Sequence, residues 1–112
     1  MAIIIETSTP KTLLASIKKA IDEKKIETWS YDTDGDFTHT PEQWKYKAWL
    51  RPKTSDGVLT FNILGSKATK LGKTTYGVYH GRFIESVLTH FDDKCTSAKA
   101  TSNLVSGDII GG

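Results

Sequence analysis

The chain has one cysteine, three prolines and a single methionine in 112 residues, and no long apolar run. With Cys95 alone, no disulfide can close within the chain and the fold cannot depend on one, which sets the expectation of a cytoplasmic protein. Ile3-Ile4-Ile5 is too short for the apolar region of a signal peptide, and no basic residue precedes it. No window approaches the ~20 apolar residues of a membrane span, so no membrane association is expected. A composition of 38% hydrophobic and 25% charged residues speaks against disorder, collagen and coiled coil. The expectation is one soluble domain over residues 1–112, long enough for a single core.

The net charge is small, +2, yet the charges are unevenly spread. Residues 1–39 carry five Lys against seven Asp or Glu, whereas residues 40–80 carry seven Lys or Arg against Glu42 and Asp56. The middle third is therefore the basic part of the protein, and it directs attention to partners that meet that segment.

Hydrophobic spacing supplies the elements. Ala2–Glu6 reads as a strand. Thr9-Pro10 opens a helix in which Leu13, Leu14, Ile17, Ala20 and Ile21 form one apolar stripe. Asp34-Gly35 and Asp56-Gly57 each read as a two-residue hairpin turn, because glycine tolerates the positive φ such turns need. If the second turn is tight, Thr54 faces Leu59, Pro52 faces Phe61, Leu50 faces Ile63 and Trp49 faces Leu64. Trp44, Tyr46, Ala48 and Leu50 would then point to the core with Leu59, Phe61 and Ile63. Tyr76–His80 reads as a further short strand, and Phe83, Ile84, Val87, Leu88 and Phe91 mark a second amphipathic helix. The order β-α-β-β-β-(β)-α-β predicts an α+β two-layer sandwich, a mostly antiparallel sheet with both helices on one face. Residues 106–112 read as a flexible tail.

Several motifs fail on spacing. Asp32, Asp34 and Asp36 begin like a calcium loop, but the positions that need glycine and the final glutamate hold Phe37 and Gln43, and Pro41 interrupts. Gly72-Lys73-Thr74 ends like a phosphate-binding loop, but Lys67 stands where its first glycine belongs. His39, His80 and His90 show no metal-ligand spacing with one another or with Cys95. No catalytic motif is present, and neither a cofactor nor a metal is expected.

Two features point to binding. Lys45, Lys47, Trp49 and Arg51 alternate on the outward face of the strand expected over residues 44–51. An indole among cations suits a protein contact or self-association, since Trp and Arg dominate interface energies. The same residues, with the lysine-rich loop 66–75, suit stacking and phosphate neutralisation on a single-stranded nucleic acid. The second feature is Tyr79–Phe83 at the expected start of the second helix. There free N–H groups, Gly81, His80 and Arg82 would receive an anion, or Arg82 would simply pair with Glu85. The reading that follows is a non-catalytic protein-interaction module, with nucleic-acid binding as the alternative.

Overall fold

Asp56-Gly57 makes the tightest connection in the chain. Gly57 has φ +75°, and the two residues join β4 (Ala48–Ser55) to β5 (Val58–Gly65). The turn imposes the expected register: Thr54 on Leu59, Pro52 on Phe61, Leu50 on Ile63, Trp49 on Leu64. Around this hairpin the chain adds β1 (Ala2–Glu6), α1 (Pro10–Asp22), β2 (Trp29–Tyr31), β3 (Phe37–His39), α2 (Lys73–Phe91) and β6 (Ser97–Ala100). The structure, a computed structural model, describes residues 1–111. Its six strands form one antiparallel sheet in the order β2-β3-β4-β5-β1-β6, an α+β architecture.

Cross-strand partners share a face, so the register identifies the core side. Ile3 opposes Phe61, Ile5 opposes Leu59 and Phe37 opposes Leu50, and all six are fully buried. Both helices feed that one core. Leu13 and Ile17 come from α1, and Tyr79, Phe83 and Val87 from α2, whose Phe83 ring meets Phe61, Trp29 and Phe37 within 4.6–5.9 Å. α1 ends in a Schellman turn, Lys24 N–H to Ile21 O and Lys25 N–H to Ala20 O, with Lys24 rather than glycine at φ 60°.

Four expectations change. The strand read over Tyr76–His80 does not exist, because α2 starts at Lys73 and Tyr76, Tyr79, His80 and Phe83 continue one helical stripe into the core. The connection after β2 is five residues, Asp32–Asp36, closed by Asp32 N–H on Asp36 O and by Asp32 Oδ1 accepting from the Asp34 and Asp36 amides. Trp44–Lys47 is not strand. Pro41 opens a helical turn in which the Trp44 and Lys45 amides bond to its carbonyl, and Tyr46 at φ 60° then reverses the chain. Tyr46 consequently lies 60% exposed instead of inside.

The fourth change concerns the C-terminus. Residues 106–111, read as a flexible tail, dock on β5; Gly112 lies outside the described residues. Beyond Asn62 the β1 side of β5 is vacant, and Ile109 fills it in parallel, with Ile109 N–H on Ile63 O and Gly65 N–H on Ile109 O. The Asp108 side chain is completely buried. It accepts from the Ile63 and Val105 amides and Asn62 Nδ2, and lies 3.4 Å from the Met1 ammonium. Four donors around one carboxylate compensate its desolvation.

Candidate functional site

Because Ala48 and Leu50 point into the core, Trp49, Arg51 and Lys53 point to the opposite face of the sheet. Trp49 opposes Leu64, and Leu64 bridges to Ile109, so these three form one row across the sheet. Tyr46 extends it. Its ring stacks on Trp49 with centroids 6.4 Å apart and planes inclined at 21°, and Lys45 Nζ lies 5.2 Å from its centroid. With Tyr46 60% and Ile109 57% exposed, both ends of the row are open to water. Lys47 is exposed beside it, and Lys47, Tyr46, Ser66, Thr69 and Lys70 line a groove of about 190 Å³ next to the start of α2.

Of the four residues expected on this face, Trp49 and Arg51 stand on β4, whereas Lys45 and Lys47 reach its end from the turn before it. Arg51 is not a free cation. Its Nε and Nη2 donate to the two Asp36 carboxylate oxygens at 2.9 and 2.8 Å, a bidentate pair. That bond, then the Asp36 charge, and less strongly Asp34 and Asp32, raise its pKa further above the ordinary value. The acidic turn is thus tied to the basic strand. Among the described residues Asp32, Asp34 and Asp36 are the one group whose ligand atoms all lie within 4.8 Å, but both Asp36 oxygens already serve Arg51.

His80 and Arg82 do not come together. Gly81 is inside α2, so its amide bonds within the helix and the anion site expected at a helix start is absent there. His80 is buried, with Nδ1 2.6 Å from the Tyr76 carbonyl oxygen, and burial holds its pKa below the ordinary value against the Tyr76 and Met1 carbonyls. Arg82 is exposed and pairs with Glu85 at 3.6 Å, the i,i+3 contact its spacing implies.

The histidine that does meet this pair is His39. β3 is buried along its whole length: the Phe37 and His39 rings meet Phe83 and Tyr79 of α2, and Thr38 Oγ1 accepts from the Tyr46 amide in the turn before β4. Thr38 Oγ1 donates to Ala48 O and lies 3.1 Å from Tyr79 Oη, which also donates to Trp44 O. His39 is 4% exposed, and its ring lies 4.5 Å from that of Trp29. Nδ1 sits 2.7 Å from Thr28 O; a carbonyl only accepts, so Nδ1 carries the proton and Nε2 is the acceptor. Burial lowers the His39 pKa, the Thr28 bond opposes this, Arg82 adds to it and Glu85 opposes it. The ring opens on a pocket of about 230 Å³ that Arg82, Glu85, Gln43, Pro41 and Trp44 share. Sequence spacing carries no signal for it: His39 and Arg82 lie 43 residues apart and meet only through the crossing of α2 over β3.

No protein-family model matches the chain, and neither a curated protein nor a solved structure matches it significantly. Among the described residues, no helix is long and apolar enough to cross a membrane.

Proposed function

We propose that the protein is a protein-interaction module that associates through the outer sheet face, with a second copy of the chain as its partner. The observation that carries this is Tyr46. A bulky residue at φ 60° holds a disfavoured backbone conformation, and here it presents a largely exposed ring stacked on Trp49 at the end of the Trp49–Leu64–Ile109 row. Strain retained to expose an aromatic ring fits a contact surface better than a solvated one.

Charge favours a self-complementary partner. The acidic turn Asp32–Asp36 precedes β3 and the basic turn holding Lys45 and Lys47 follows it, so the two lie at opposite ends of that short strand. A two-fold axis between copies would set each acidic end against the other copy's basic end. Nucleic-acid binding is the second reading, favoured by the groove between Tyr46, Lys47 and Lys70. It is weakened because Arg51 is neutralised by Asp36, with two further carboxylates close by that would repel phosphate.

Sedimentation velocity over a wide protein concentration range, at low and high salt, tests the proposal. The expected result is a concentration-dependent rise from the 12.4 kDa monomer toward a dimer, weaker at high salt. A monomer at millimolar protein and low salt would refute self-association. Saturable, strongly salt-dependent binding of a single-stranded oligonucleotide by that monomer would move the assignment to the second reading.

A further inference from the structure

The pocket beside His39 is separate from the outer face, and its donor set can be read group by group. His39 Nε2 is an acceptor, because Nδ1 holds the ring proton against Thr28 O. Glu85 adds a second acceptor, carrying negative charge. Arg82 and the Gln43 amide are donors on the same wall, and Trp44 and Pro41 supply apolar surface. The ring is 4% exposed and fixed through Nδ1, which makes it a rigid polar group on the wall of the cavity.

The charges decide which ligand completes it. Arg82 and Glu85 make a single contact at 3.6 Å, and both are well exposed, so their mutual attraction is weak and easily exchanged for another partner. An anion alone would meet Glu85 and a cation alone would meet Arg82. We infer that the pocket takes a small zwitterion, a free α-amino acid, with its carboxylate on Arg82 and Gln43 and its ammonium on Glu85 and His39 Nε2. A volume of about 230 Å³ lies below the range of drug-sized sites and suits a molecule of this size.

The test uses L-alanine as the zwitterion, with propionate and ethylamine as single-charge controls, each titrated into the whole protein labelled with nitrogen-15. His39 ring nitrogens and the Trp44 indole N–H are followed by NMR. The expected result is saturable movement of both signals with alanine and neither control. Arg82→Gln and Glu85→Gln, on the exposed side of α2, should each weaken alanine binding about tenfold while leaving the thermal transition in place. No saturable shift with alanine overturns the inference. So does propionate matching alanine, or Arg82→Gln acting while Glu85→Gln does not, since either result describes an anion site. Neither outcome bears on self-association, which is read by sedimentation at a different surface.

Discussion

Replacing Tyr46 by asparagine separates the two reasons a residue can be where it is. Tyr46 sits at φ 60°, a region that costs an ordinary L-residue about 1–2 kcal/mol and that asparagine visits more readily. The substitution therefore returns about 1 kcal/mol of backbone strain to the folded state. Against this stands the lost contact. With 60% of the residue exposed, roughly 80–90 Å² of a tyrosine is covered, which at ~25 cal/mol per Å² is about 2 kcal/mol before the smaller asparagine recovers a part of it. The ammonium of Lys45 over the ring, exposed as it is, adds only about 0.5 kcal/mol. These terms nearly cancel, so Tyr46→Asn should lower stability by no more than about 1 kcal/mol, a fall in Tm of about 4 °C for a chain of this length. Association should respond quite differently. An exposed aromatic at the end of an apolar row is the kind of group whose truncation costs about 2 kcal/mol or more in binding, which is about thirtyfold or more in the dimer constant. Chemical denaturation measures the first quantity and sedimentation the second, while Tyr46→Phe, which keeps the ring, should leave both near wild type. A stability loss well above 2 kcal/mol with unchanged association would show that the ring serves the fold, and the reasoning from strain to contact would be wrong.

Four further outcomes can be checked. A Cβ at Gly65 would lie 2.5 Å from Ile110 O, so Gly65→Ala should lift the C-terminal residues off β5, seen as accelerated hydrogen exchange at the Ile109 amide. Gly81→Ala, in an exposed turn of α2 with no atom near its added methyl, should instead stabilise by about 0.5–1 kcal/mol; equal effects of the two changes on the melting temperature would contradict the placement of either residue. Burial holds His39 and His80 below the ordinary histidine pKa, so below about pH 6.5 the unfolded chain takes up protons that the folded chain refuses. Stability should accordingly be full near neutral pH and decline on acidification toward the folded-state values; a flat or rising urea midpoint between about pH 7 and about pH 5 would show that the rings are not kept neutral. Burial, then Asp92 and Asp93, push the Cys95 thiol pKa up, so alkylation at neutral pH should be slower than for a cysteine in a short peptide, and an equal or faster rate would place the thiol in water.

Pattern predicts this fold where burial and period coincide, and fails where one residue breaks the period. The Ala48–Ser55 and Val58–Gly65 hairpin was legible down to its register, because Asp56-Gly57 admits one tight turn and each strand buries alternate residues. Trp44–Lys47 carries the same alternation and is not strand at all. Pro41 starts a helical turn, Tyr46 takes positive φ, and the apparent period is a coincidence of four residues. α2 shows the reverse failure. Gly77 and two tyrosines suggest a strand, yet Tyr76, Tyr79, His80 and Phe83 keep the helical spacing of the residues after them, and that longer period prevails because it buries Tyr79, His80 and Phe83.

The candidate sites divide along the same line. Trp49 and Arg51 were visible on the outer face because the hairpin that presents them is local, and Arg82 with Glu85 was visible as an i,i+3 pair. The Arg51–Asp36 bond and the His39 pocket were not, since each joins segments whose spacing in the chain says nothing of their approach. What creates both is the sheet order. Placing β3 beside β4 brings the acidic turn to Arg51 at one end of β3, and at the other it lays His39 under α2. A single strand of three residues thereby neutralises the cation that a nucleic acid would need and furnishes the buried acceptor of a second, separate pocket. The strand pairing that no local pattern specifies is what distinguishes a basic strip from a surface with two opposed ends.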